Sequence, residues 1–172
     1  RNINIPGVQN FRDLGGYPSY STKKQMRWGM IYRSAEIDSL ECSSRRELKN
    51  LGIKTLIDLR ASSEIGRQSP LQKGFNVVHI PLATGDMEGI LKGIREEKIK
   101  SDTVYRMVER MNRILIDQYT KEYRQIFDIL LDKNSYPVVI HCSSGKGRTG
   151  IVSALVLAAL GINEDIIMED YR

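Results

Sequence analysis

The stretch Tyr136-Pro137-Val138-Val139-Ile140-His141-Cys142-Ser143-Ser144-Gly145-Lys146-Gly147-Arg148-Thr149-Gly150, with the apolar run that continues to Leu160, decides the fold. Residues 136–140 form a short, continuous apolar run, the pattern of a central strand covered on both faces. From Gly147 to Leu160, small and branched apolar residues stand nearly all round the helical wheel, so the helix they predict is buried. A buried strand that passes through a glycine-bearing loop into a buried helix is where an α/β sheet presents ligand sites, at the carboxyl end of a strand. The glycines let successive backbone N–H groups turn inward as a nest for an anion, and the helix N-terminus adds its positive end.

The residue types in that loop suit one chemistry. A cysteine at the base of an anion nest is favoured as the thiolate, the nucleophilic form. Cys142 is thus the candidate nucleophile. Arg148, six positions later at the start of the helix, can fork two N–H donors onto phosphate oxygens. With the amides of Ser143, Ser144, Gly145, Lys146 and Gly147, it would also meet the charge that builds on those oxygens during transfer. Thr149 can donate its hydroxyl to the sulfur, and His141 is expected to orient the loop by bonding backbone rather than to act as a base. A nucleotide-binding Walker loop is excluded, because it needs Gly-x-x-x-x-Gly-Lys followed by Ser or Thr. Here Lys146 is followed by Gly147, and Ile140 stands five positions before Gly145.

Outward from the loop, strands and helices alternate. Asn2 to Tyr20, rich in Gly, Pro and Asn, reads as an irregular arm. Met30 to Tyr32 is a short strand ending at Arg33-Ser34, and Ser44-Arg45-Arg46-Glu47 has the form of a capping box for a helix that runs to Asn50 and stops at Gly52. Ile53 to Ile57 is a buried-type strand closing on Asp58-Leu59-Arg60, and Asn76 to Ile80 is another. Gly85 to Lys100 reads as a mobile excursion. Ser101 can cap the next helix, whose apolar face runs through Val104, Met107, Val108, Met111 and Leu115 and is carried on from Tyr119 to Leu130 after a break near Thr120. Asn163 caps a last helix. The alternation predicts one α/β domain over residues 1–172, a central, mostly parallel sheet flanked by helices.

Composition narrows the classes. Hydrophobic residues make up 41% and charged residues 27%, an ordinary globular balance. The longest apolar run, Ile151 to Ile162, is well short of the ~20 residues a membrane span requires. The formal charge of +5 suits an acidic substrate, yet the basic residues are scattered among the acids, and nothing argues for nucleic acid. Two cysteines a hundred residues apart, with His79 and His141 the only histidines, make neither a disulfide scaffold nor a zinc cluster. No metal and no organic cofactor is expected. Cys42 reads as a semi-buried residue at a helix start. The compartment is left open.

The loop resembles the signature of the protein tyrosine phosphatase superfamily. The rest of the chain is similar to the bacterial tyrosine/serine phosphatase family through Asn10-Phe11-Arg12-Asp13-Leu14-Gly15-Gly16, Tyr32-Arg33-Ser34-Ala35-Glu36, Asp58-Leu59-Arg60 and Asp170-Tyr171. That resemblance implies a cysteine-dependent phosphatase acting on phosphotyrosine, with some relatives accepting phosphoserine, phosphothreonine or phosphoinositides. It also implies that Arg12 and Asp13 border the pocket, and that further C-terminal helices follow in the family.

Two positions depart from the family pattern. Relatives usually carry Asp between the loop Lys and Arg, where Gly147 stands here. The resulting Cys-x-x-Gly-Lys-Gly-Arg is similar to lipid phosphatases acting on inositol phosphates. Lys146 would then meet a second phosphate, or else is a solvated loop lysine. The general acid that protonates the leaving oxygen follows a proline-containing stretch in relatives, here His79-Ile80-Pro81-Leu82-Ala83-Thr84-Gly85-Asp86. Asp86, a couple of positions late, is the first candidate and Asp58 the second. Two rival classes also fit a loop cysteine: a rhodanese-like sulfurtransferase, and a phosphate-binding module without turnover. The expected partner is a phosphoprotein or phosphoinositide substrate.

Overall fold

The apolar run before Cys142 becomes strand β5 (Val138–His141), which is buried along its whole length at the middle of the sheet. Its alternate residues serve two cores. Val138 and Ile140 pack with Ile31, Ile57, Leu115, Ile126, Val152 and Val156. Val139 packs on the opposite side with Ile5, Phe11, Tyr32, Leu48, Leu56 and Phe75. A strand with apolar partners on both faces needs apolar residues at every position, which is why the run carries no polar alternation.

The computed structural model describes residues 1–38, 42–65, 74–83, 93–94, 96 and 101–172. The other strands are β1 (Arg12–Asp13), β2 (Ile31–Ser34), β3 (Thr55–Asp58) and β4 (Asn76–His79), in the spatial order β1-β2-β5-β3-β4. β1 runs antiparallel to β2, and every other pairing is parallel. The α-helices whose bounds lie among the described residues are α1 (Cys42–Asn50), α2 (Ser101–Gln118), α3 (Thr120–Leu131), α4 (Gly147–Ala159) and α5 (Glu164–Tyr171). The mixed α/β architecture with a mostly parallel sheet is the one the alternation predicts. The helical break falls at Tyr119, and the Asn163 side chain accepts the Asp165 N–H at 2.8 Å to cap α5.

Register positions the site. Ser34 of β2 and Asp58 of β3 both stand beside His141 of β5. The three strands therefore end abreast, and the loops that leave them meet over one end of the sheet.

Two local expectations are corrected. The capping box at Ser44 is not the start of α1, which already includes Cys42. Ser44 is buried and donates its hydroxyl to the Pro6 carbonyl, so its side chain serves the N-terminal arm instead of the helix end. Cys42 opens the helix as read, but it is exposed. The second correction is β1, which lies inside the stretch read as irregular. Most of Gly85 to Lys100 falls outside the described residues, and so does Asp86.

Candidate active site

The loop from β5 to α4 is held from outside by its carbonyls. The Gly145 carbonyl accepts from Asn10 Nδ2 and from an Arg33 Nη2, each at 2.9 Å. Asn10 Nδ2 also reaches the Ser144 carbonyl at 3.3 Å, and the Glu36 N–H donates to the Ser143 carbonyl at 3.1 Å. Tying the carbonyls outward turns the amides inward. Among the described residues, no amide of residues 143–146 is bonded to another protein group. Gly145 takes φ +67°, and a Cβ there would lie 2.5 Å from the Ser34 carbonyl oxygen and the Ala35 nitrogen. Only glycine fits between the loop and the end of β2.

The outer braces are themselves braced. Arg33, fully buried, donates Nη1 to Asp170 Oδ2 at 2.6 Å. Arg12 Nη2 donates to the Asp170 carbonyl at 2.6 Å, its Nη1 donates to Asn10, and Tyr17 donates its hydroxyl to Asp170 Oδ1 at 3.1 Å. Asp170, near the end of α5, thus gathers the strand and the N-terminal arm behind the loop.

Cys142 is at the base of the loop, 1% exposed and packed into the larger core. Arg148 stands at the first turn of α4, 8% exposed. Its Nη1 donates to Glu64 Oε2 at 2.5 Å and its Nη2 to Glu64 Oε1 at 2.7 Å. Nη1 also donates to the Leu59 carbonyl, and Nη2 to Ser143 Oγ at 3.2 Å. Ser143 in turn donates its hydroxyl to Glu64 Oε1 at 2.6 Å. Burial pushes the Glu64 carboxyl up, but hydrogen bonds from Arg148, then Ser143 and the Ala61 amide, outweigh it and leave its pKa at about 2. For Arg148, burial lowers and the Glu64 pair and the Cys142 charge raise, with the raise prevailing. A cysteine under an inward-facing ring of amides with a charged guanidinium beside it is built to attack an anion while neutralising it.

Residues 3–172 match the family described as the tyrosine phosphatase family. The chain belongs to that family. It is 32% identical over 189 residues to the triple specificity protein phosphatase PtpB of Mycobacterium tuberculosis, covering 97% of this chain and 67% of that protein. It is 28% identical to a Cupriavidus necator protein assigned to the tyrosine-protein phosphatases, covering 95% of this chain and 59% of the other. Among solved structures it resembles the Siw14 catalytic core, with a TM-score of 0.56 at 18% identity over 83% of this chain and 69% of that one. The core catalytic domain of the PP-IP phosphatase SIW14 from S. cerevisiae, in complex with citrate, gives 0.54 at 16% identity, again over 83% and 69%. These two likenesses concern the fold.

In this phosphatase the residues read from the sequence are placed as follows. Cys142, Ser143, Ser144, Gly145, Lys146, Gly147 and Arg148 all lie on the one loop and the first turn after it. Thr149 Oγ1 is buried and has no hydrogen-bonding partner among the described residues, so donation to the sulfur is not seen. His141 is fully buried, and its ring nitrogens likewise make no hydrogen bond of normal geometry; Nδ1 is 3.9 Å from Asp58 Oδ1. Burial lowers its pKa to about 4, against the pull of Asp58, so it is a neutral ring packed under the loop. Among the influences on the ring is a backbone contact with Cys142, so its role in orienting the loop stays an expectation.

Arg12 acts on the far side of the loop, through Asn10 and Asp170. Asp13 folds back into its own turns, accepting the Gly15 and Gly29 N–H groups at 2.7 Å each. Asp58 is bound by Arg60, whose Nε and Nη2 both donate to it, and this pairing outweighs burial to hold its carboxyl below the usual range. It is committed to structure and is a poor proton donor. A cavity of about 700 Å³ opens on the flank of the loop, lined by Arg12, Arg33 and Lys146 with Glu169 and Asp170, and it does not include Cys142. Among the described residues no three His, Cys, Asp or Glu side chains gather as a metal site. No described helix is long and apolar enough to cross a membrane.

Glu64, Asn10, Arg33 and Asp170 are the site residues that sequence reasoning missed as such. The last three lay within the quoted family stretches. Glu64 had the faintest signal, an acid four positions after Arg60 in a loop leaving a parallel strand.

Proposed function

We propose that this phosphatase hydrolyses phosphate monoesters through a phosphocysteine, carried by a single domain over residues 1–172. Cys142 Sγ attacks phosphorus and the ester P–O bond breaks. Asp86 is the proposed acid that gives its proton to the leaving oxygen. Water then attacks the phosphocysteine, inorganic phosphate departs, and the thiolate is restored. Arg148 and the amides of residues 143–147 hold the three non-bridging oxygens throughout. The observation that carries this reading is the outward tying of the loop carbonyls, with Gly145 O bound by both Asn10 and Arg33, because it leaves the amides to an anion above Cys142.

Phosphotyrosine in proteins is the proposed substrate class, with relaxed specificity. A second reading, inositol phosphates or phosphoinositides, is favoured by two observations. Lys146 is exposed beside the flanking cavity, where it can meet a second phosphate, and open space surrounds Gly147 where relatives place an acid.

The deciding experiment is phosphate release from a phosphotyrosine peptide and a phosphoinositide panel, by wild type and Cys142→Ser side by side. Release by wild type that vanishes in the variant supports the nucleophile, and the preferred substrate chooses between the two readings. Folded wild type that binds phosphopeptide without releasing phosphate would be a binding module. Thiocyanate formation from thiosulfate and cyanide would make it a sulfurtransferase.

A further inference from the structure

A carboxylate lying on the arginine that is to hold the substrate phosphate invites two opposite explanations: it aims the arginine, or it blocks the seat. The arrangement around Glu64 separates them. Its oxygens accept from Arg148 Nη1 and Nη2, from Ser143 Oγ, and from the Ala61 N–H at 2.7 Å. None of these donors is a loop amide of residues 143–146. A carboxylate occupying the phosphate seat would take those inward N–H groups, and Glu64 takes none of them. It holds the guanidinium by its far end.

That end-on hold has a consequence for the donors left over. Nη1 is used by Glu64 and the Leu59 carbonyl. Nη2 turns toward Glu64 Oε1 and Ser143 Oγ, whose oxygens lie side by side. The Nε edge has no partner among the described residues. Arginine presents its donors in a rigid planar fork, so fixing one edge of the plane fixes the direction of the others. Because Glu64 is itself pinned by the Ala61 amide at a turn of its own backbone, the plane is referenced to the end of β3 and not to solvent. The parallel register that sets Asp58 beside His141 is what brings this turn over the catalytic loop.

We propose that Glu64 is a positioning residue that sets the plane of the Arg148 guanidinium and holds the Ser143 hydroxyl, so that the Nε edge meets the phosphate oxygens of the substrate. The proposal rests on the phosphatase reading above, in which Arg148 is the phosphate clamp. It distinguishes Glu64 from a residue that merely stabilises the fold, because its effect belongs to anion capture and to the transferring state.

The test uses wild type, Glu64→Gln and Glu64→Ala, with two readouts. Turnover of a phosphotyrosine peptide is separated into kcat and KM, and binding of inorganic phosphate and of orthovanadate is measured by calorimetry. Glu64→Ala should lower kcat/KM on the order of 10²-fold, mostly in kcat, and weaken vanadate more than phosphate. Glu64→Gln, which keeps an acceptor oxygen, should fall between the two. Tighter phosphate or vanadate binding in either variant would mean that Glu64 blocks the seat, and overturns the proposal. So do unchanged kcat and unchanged anion binding. If Glu64→Ala does not fold, the Gln variant carries the same comparison. If wild type releases no phosphate, the catalytic reading fails, while calorimetry still decides whether Glu64 aims the clamp.

Discussion

A methyl group at Gly145 would press on the Ser34 carbonyl and the Ala35 nitrogen, backbone atoms that cannot move without carrying the end of β2 with them. Gly145→Ala should cost about 2–3 kcal/mol, from a left-handed backbone position as well as the clash, and lose most activity in the protein that folds. Urea denaturation and phosphate release measure the two effects. Two residues on, a Cβ at Gly147 meets nothing within 4 Å. Gly147→Asp should therefore melt within about 2 °C of wild type, since a substitution that meets no neighbour rarely exceeds ~0.5 kcal/mol. Its informative readout is the ratio of phosphotyrosine to phosphoinositide turnover, which should rise if the open glycine favours polyphosphorylated substrates. At Arg148 the shape of the cation matters as much as its charge. Arg148→Lys cannot serve Glu64 and a phosphate in one plane, so kcat/KM should fall on the order of 10²–10³-fold.

α5 packs Ile166 and Ile167 against Tyr17, Leu157 and Ile162. Its one buried residue is Asp170, which it delivers to Arg33, Arg12 and Tyr17. Asp170→Asn leaves the fully buried Arg33 without its counter-ion, a change that ordinarily costs about 3–5 kcal/mol. The urea midpoint should drop accordingly, and Tyr17, whose hydroxyl pKa burial and then the Asp170 charge raise to about 12, should titrate closer to its ordinary value. None of this was legible in the sequence as a bracing function. Asp170 and Arg33 lie 137 positions apart, and pairing across that distance follows from the completed fold, not from local pattern. What could be read were elements governed by short-range physics: the two-sided apolar run of β5, the break at Tyr119 and the Asn163 cap. β1 escaped because two residues carry no period, and its place is set by pairing with β2. The box at Ser44 misled because a tertiary acceptor, the Pro6 carbonyl, outcompeted the helix end for the same hydroxyl. At the site, the proposed nucleophile Cys142 and clamp Arg148 stand on one contiguous loop that the sequence displays, whereas Glu64 joins it only through strand register.

For the molecule as a whole, acid should act first through His141. Its folded pKa of about 4 lies below the ordinary 6.5, so the unfolded chain takes up the proton sooner as pH falls. The stability this buried neutral ring contributes is complete above pH 6.5 and is lost progressively toward pH 4, by up to about 3 kcal/mol. Chemical denaturation between those limits should show the slope, and His141→Gln should flatten it. The strand order holds a further consequence, for synthesis on the ribosome. β2 and β3 are neighbours of β5 and not of each other, yet β5 is made more than 75 residues after β3. Until Val138 to His141 leave the exit tunnel, the edges of β2 and β3 that pair with β5 in the finished sheet have no partner strand. Cys142, the proposed nucleophile, arrives with the very segment that closes the gap. A growing chain should thus stay both inert and adhesive until residues 138–148 emerge, and chaperone dependence should end at that length.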